Sequence, residues 1–185
     1  GGNYRFGLVA NGKLNIDNDS SIGSVSNPYN LDNPLDSTNK VSVVSSEIEV
    51  TSGTYVKGTL AGQILAKMAN PDNTAAGQAK IAIVNNGNID MSGTNSISFY
   101  SRYGIVTNNN IINSSNGAIG IYGTNNTQIN NVGTINLGNN SIGLAAKTQE
   151  GTLSIAGNNL INMTNSGNII YNGATAPIGW YAQNN

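Results

Sequence analysis

The chain has 185 residues, a net charge of −1, 9% charged residues, and neither cysteine nor histidine. That length suits one domain, and the lack of Cys excludes a disulfide framework and thiol chemistry. Without a basic cluster, nucleic acid is not an expected partner, and no apolar run approaches the ~18 residues of a membrane span. Asparagine supplies 34 residues, 24 of them from Asn85 onward. Such a bias alone suits a disordered low-complexity tract. The 38% apolar content, set out as spaced Ile, Leu and Val, points instead to an ordered repeat.

In chain order, Gly1-Gly2-Asn3 shows no signal-peptide pattern and is expected to be an interior start or a cloning remnant. Residues 4–23 already read as a coil, with Phe6-Gly7-Leu8-Val9, Asn11-Gly12-Lys13-Leu14-Asn15-Ile16 and Ser21-Ile22-Gly23. Residues 24–40 break the pattern, since Asn27-Pro28-Tyr29-Asn30 and Asp32-Asn33-Pro34 are turn chemistry. Val41-Ser42-Val43-Val44 and Glu47-Ile48-Glu49-Val50 then alternate as strands, and Thr54-Tyr55-Val56 suggests another. Residues 59–69 form the one helical candidate. Thr59 is its N-cap, Leu60, Ile64, Leu65 and Met68 share a face, and Asn70-Pro71 stops it. Residues 55–80 are therefore expected to be an insertion extruded from the coil, within an irregular region 24–80. Of the 17 charged residues, 13 fall in 1–84, which sets this half apart. Regular coils are expected over 81–185, with a second extrusion or an extra partial coil between Ala146 and Ile169.

The regular part rests on one phrase. Ser96-Ile97-Ser98-Phe99-Tyr100, Ala118-Ile119-Gly120-Ile121-Tyr122, Ser141-Ile142-Gly143-Leu144-Ala145 and Pro177-Ile178-Gly179-Trp180-Tyr181 are four copies. The first three are spaced by 22 and 23 residues and the fourth by 36. A fixed period in the twenties is the signature of stacked repeats. A second alternating run precedes the phrase, as in Gly87-Asn88-Ile89-Asp90-Met91 and Gly133-Thr134-Ile135-Asn136-Leu137. Apolar residues two apart are strand alternation, and Gly and Asn tolerate the positive φ that tight corners require. The asparagines are expected to supply these corners and to stack as a hydrogen-bonded ladder rather than to form a ligand surface. Stacked coils lie about 4.8 Å apart. Ile97, Ile119, Ile142 and Ile178 would form one internal ladder, and Phe99, Ile121, Leu144 and Trp180 the next. The fold class is thus all-β, a single parallel β-helix or solenoid of about 22–23 residues per coil. No coil buries its apolar face alone.

Asn86-Gly87-Asn88-Ile89-Asp90-Met91-Ser92-Gly93-Thr94-Asn95-Ser96-Ile97 and Gly133-Thr134-Ile135-Asn136-Leu137-Gly138-Asn139-Asn140-Ser141-Ile142-Gly143-Leu144 resemble the degenerate repeat of large fusobacterial autotransporter adhesins. The resemblance covers 81–185 well, 4–23 moderately and 24–80 poorly. It implies a right-handed parallel β-helix passenger on a Gram-negative surface, secreted through a C-terminal outer-membrane barrel of the full-length chain. It also implies attachment to a protein or glycan on host cells or other bacteria. The repeat runs into both termini, as expected of a segment of a longer protein. The family offers no catalytic motif, so no catalytic residue is assigned.

Parallel β-helices also host polysaccharide lyases and hydrolases, which need facing carboxylates or a base with a cation. From Asn85 on, the acids are Asp90 and Glu150 and the bases Arg102 and Lys147, with no acidic row at coil spacing. Asp17 with Asp19, and Glu47 with Glu49, are same-face pairs. They read as solvated strand faces rather than cation sites, the first lacking an EF-hand's central Gly and final Glu. No metal, cofactor or enzymatic activity is expected. The binding candidates are Tyr29, Tyr55, Tyr100, Arg102 and Tyr103. Tyr100, Tyr122 and Tyr181 follow the apolar phrase by one and point outward by alternation. Exposed Tyr and Arg serve as recognition anchors; the competing role is an aromatic stack that shields the outer surface or packs beneath a loop. Adhesive display is the expected function, with loops 24–40 and 55–80 as contact surface. The alternatives are a plain stalk beneath a distal tip and a carbohydrate-active β-helix.

Overall fold

The computed structural model describes residues 8–9, 13–16, 21–22, 43–45, 47–51, 55–58, 64–66, 82–91, 94, 97–101, 104–124, 127–147 and 162–183; side chains are described at 15, 48–51, 83–91, 94, 97–101, 104–124, 127–147 and 162–183. Among these residues there is no helix. The strands are β1 Leu8–Val9, β2 Lys13–Ile16, β3 Ser21–Ile22, β4 Val43–Ser45, β5 Glu47–Val50, β6 Tyr55–Gly58, β7 Ile64–Ala66, β8 Ala82–Asn85, β9 Asn88–Met91 and β10 Ile97–Ser101. They continue as β11 Ile105–Asn108, β12 Ile111–Asn113, β13 Ile119–Thr124, β14 Gln128–Asn131, β15 Thr134–Asn136, β16 Ile142–Lys147, β17 Asn162–Asn165, β18 Asn168–Ile170 and β19 Ile178–Gln183.

Every third strand joins the same sheet. One sheet is ordered β1-β4-β7-β10-β13-β16-β19, the second β17-β14-β11-β8-β5-β2 and the third β18-β15-β12-β9-β6-β3. The paired strands are parallel throughout. Each circuit of the chain thus lays one rung across three stacked sheets, an arrangement consistent with a parallel β-helix or solenoid.

Register turns the sequence period into columns. Leu8, Val43, Ile64, Phe99, Ile121, Leu144 and Trp180 lie one above another. Leu14, Ile48, Ile83, Val106, Ile129 and Met163 form a second column. Val56, Ile89, Ile112, Ile135 and Ile169 form a third. The three meet in one core containing Phe99, Ile121, Leu144, Ile48, Ile83, Val106, Ile129, Ile89, Ile112 and Ile135, against which Met163 and Ile169 are partly buried. Each such side chain contributes about 1.5–3 kcal/mol of transfer free energy.

Ile97, Ile119, Ile142 and Ile178 are stacked in register as expected, but they do not line the interior. The first three are half-buried and Ile178 is exposed. For Ile119 and Ile142 the reason lies with the glycine that follows; after Ile97 the buried Ser98 holds that place. A Cβ on Gly120 would meet Ile135 Cγ2 at 3.3 Å, and one on Gly143 would meet Ile169 Cγ2 at 3.2 Å. The glycine faces the core, so the isoleucine before it does not. In β13 the burial pattern departs from strict alternation at this point, Gly120 and Ile121 both being buried.

The first half is also more regular than its sequence suggests. Ile64–Ala66, inside the expected helix 59–69, is a strand between β4 and β10. Its apolar residues satisfy helical spacing locally, but Ile64 fills the column between Val43 and Phe99. Tyr55–Gly58 likewise pairs with β3 and β9. The excursion expected over 55–80 is therefore interrupted by sheet at 55–58 and 64–66, while 24–42 and 67–81 lie outside the described residues.

Candidate functional site

Polar side chains follow the same vertical logic as the core. The last residue of β8, β11, β14 and β17 in the second sheet is an asparagine, and Asn85, Asn108 and Asn131 are buried. Asn85 Nδ2 donates to Asn108 Oδ1 at 2.7 Å, Asn108 Nδ2 to Asn131 Oδ1 at 2.7 Å, and Asn131 Nδ2 to Asn165 Oδ1 at 2.6 Å. The remaining amide capacity closes the corner. Asn108 Nδ2 also donates to the Asn110 carbonyl at 2.9 Å, and Asn85 Oδ1 accepts the Gly87 N–H at 3.2 Å. A buried amide left unpaired costs about 1–3 kcal/mol, so each rung's asparagine needs its counterpart above or below.

Two further ladders face outward. Asn136 Nδ2 donates to Asn113 Oδ1 and Asn113 Nδ2 to Asp90 Oδ1, both at 2.6 Å. Asn109 Nδ2 donates to Asn86 Oδ1 at 2.8 Å, and Asn86 Nδ2 to Glu49 Oε1 at 3.3 Å. Each ends on a carboxylate, which in its ionised form only accepts. The carboxylate sets the direction of the amides above it. Both outer ladders therefore donate toward the N-terminal rungs, whereas the buried one donates toward the C-terminal rungs.

Of the aromatic residues expected to point outward, Tyr100 is placed differently. Tyr100 is 1% exposed. Its ring lies against Tyr122 at 5.3 Å between centroids, tilted by 52°, and its hydroxyl is 3.4 Å from Thr124 Oγ1. Parallel register sets Tyr122 directly on Tyr100, so the pair packs as part of the wall and Tyr100 offers no face to a ligand. Tyr181, in the last rung, is exposed and donates its hydroxyl to Gln183 Oε1 at 3.2 Å. Tyr55 lies in β6 beside Asn88, with its side chain outside the described residues. Tyr29, Arg102 and Tyr103, with Asp17 and Asp19, also lie outside them. Glu47 pairs in register with Lys13 and Ala82. Among the described residues no three His, Cys, Asp or Glu come together.

The ladder of asparagines is of the kind the sequence leads one to expect; which of them form the buried column was missed, although the spacing of 23 residues from Asn85 to Asn108 to Asn131 is its signal. The exposure of Ile170, Tyr171, Ile178, Trp180 and Tyr181 was also not read from the sequence. Comparison with protein-family models, curated proteins and solved structures finds no match.

Proposed function

We propose that the chain is a segment of a right-handed parallel β-helix in a bacterial surface adhesin, a non-catalytic passenger joined to an outer-membrane barrel in the full-length protein. Its ligand is a protein or glycan on host cells or other bacteria. The observation that carries this reading is the run of three apolar columns through successive rungs. A scaffold that grows in one dimension by nearest-neighbour stacking suits rigid projection from a surface. Right-handedness follows the rule that parallel crossovers are right-handed in about 98% of cases. The adhesin role rests on the resemblance carried by Asn86–Ile97 and Gly133–Leu144. Loops on rigid scaffolds carry recognition, so contact is assigned to the stretches between described strands, 24–40 and 67–80, with Tyr29 in the first.

A stalk role is the second reading, favoured by one observation. Outward amides pair with each other, with Asp90 and with Glu49, and Tyr100 is buried, so these parts of the wall are self-satisfied. The test coats beads with the intact chain and with chains lacking 24–40 or 67–80, then counts adherence to epithelial cells and Gram-negative bacteria. Binding by the intact chain that either deletion reduces fits the adhesin. Binding indifferent to both moves recognition to the wall, and an inert intact chain leaves only the stalk.

A further inference from the structure

We propose that Asn116 is a site of spontaneous deamidation in the folded chain, and that its isoaspartyl product loosens the corner between β12 and β13. The reaction suits an asparagine followed by glycine, since no side chain then hinders the approach of the glycine nitrogen. The Gly117 nitrogen attacks Cγ of Asn116, and the new N–Cγ bond closes a succinimide ring. The Cγ–Nδ2 bond breaks, and ammonia leaves with the Gly117 amide proton. Water then opens the ring. Attack at Cγ gives aspartate. Attack at the Asn116 main-chain carbonyl carbon gives isoaspartate, in which the chain runs on through Cβ and Cγ.

Asn-Gly pairs begin at Asn11, Asn86, Asn116 and Asn172. The first lies outside the described residues and the last in the final rung, whose surroundings a following coil would change. Asn86 and Asn116 border β9 and β12, which have paired strands on both sides, and the structure sets the two apart. Asn86 is half-buried. Its Nδ2 donates to Glu49 Oε1 at 3.3 Å, its Oδ1 accepts from Asn109 Nδ2 at 2.8 Å, and its carbonyl accepts from Asn110 Nδ2 at 3.1 Å. Gly87 is buried and its N–H is taken by Asn85 Oδ1. Asn116 is exposed, and its Oδ1 accepts the Asn139 N–H at 3.1 Å. Its Nδ2, the group that leaves, has no hydrogen bond among the described residues. The attacking nitrogen is restrained by one bond, from the Gly117 N–H to the Asn139 carbonyl at 2.8 Å.

Residues 104–146 carry no charged side chain, so either product puts a first negative charge into this stretch. Aspartate keeps an oxygen where Oδ1 accepts the Asn139 N–H. Isoaspartate lengthens the main chain by one carbon and displaces both bonds to Asn139. The test incubates the intact chain in mildly alkaline buffer, folded and in urea. Each Asn-Gly peptide is followed by mass spectrometry, and isoaspartate by isoaspartyl methyltransferase labelling. In the folded chain Asn116 is expected to convert about tenfold faster than Asn86, whose additional bonds include one to a carboxylate. In urea the two rates should converge, because both pairs are then unrestrained. The aged chain should unfold at a lower urea concentration than an Asn116→Gln chain aged beside it, whereas fresh Asn116→Asp should match the fresh intact chain. Equal rates in the folded chain, faster conversion at Asn86, or an Asn116 that converts in urea alone overturns the site. An aged chain as stable as aged Asn116→Gln, or an Asn116→Asp chain as weak as the aged one, overturns the loosening by isoaspartate.

Discussion

Three equivalent corners show how a single residue is fitted to a rung. Gly117, Asn140 and Ala176 have φ of 68°, 53° and 49°. The Gly117 N–H bonds to the Asn139 carbonyl, and the Asn140 N–H to the Thr175 carbonyl, so the corners are stacked. Gly adopts this region freely and Asn tolerates it, whereas a residue with an ordinary Cβ is strained by roughly 1–2 kcal/mol. Ala176→Gly is expected to raise stability by about 0.5–1 kcal/mol once the looser unfolded chain is counted. Gly117→Ala should lower it by at least as much, both read from urea unfolding. Asn108→Ala is expected to cost about 1–3 kcal/mol in the same assay, since Asn85 and Asn131 each lose a buried partner. Positive φ was legible only as a taste for Asn and Gly, because Ala176 has no signature of its own.

At the scale of a strand, β13 separates two isoleucines that look alike in sequence. Ile121 is fully buried between Phe99 and Leu144, while Ile119 is half-buried beside a core-facing glycine. Ile121→Ala should cost about 2–5 kcal/mol, and Ile119→Ala roughly 1 kcal/mol or less. Equal losses in urea unfolding would restore Ile119 to the interior. The spacing of 22–23 residues made the stacking of both columns legible. Their facing was not, since it turns on which neighbour a missing Cβ would strike. The helix expected over 59–69 failed for a related reason. Leu60, Ile64, Leu65 and Met68 fit a helical face when read locally, and only the distant register with Val43 and Phe99 identifies a strand. Tyr100 was assigned outward by alternation, but alternation says nothing of what packs over a side chain.

For the whole molecule, stability is a sum of rungs and of contacts between adjacent rungs. Among the described residues, β11–β14 have paired strands on both sides and β17–β19 on one. Hydrogen exchange followed by mass spectrometry is expected to show strong protection over β11–β14 and weaker protection over β17–β19. Uniform protection would mean that the rungs open only as a single unit. The one-dimensional plan was readable from the period alone, as was the low charge that suits close stacking.

The buried asparagine column gives the fold something like a reading frame. The twenty-three residues from Asn108 to Asn131 advance the chain by one rung, and excising 109–131 would leave Asn85, Asn108 and Asn165 in one file. Such a cut removes a whole word, and the product should refold as the same rod shortened by about 4.8 Å. Removing one residue inside a strand would put the rest of that strand on the wrong face, whereas the corners already absorb such a difference, 22 residues separating Ile97 from Ile119 and 23 separating Ile119 from Ile142. Length in this architecture is therefore free to change by whole coils or at the corners and is guarded within the strands.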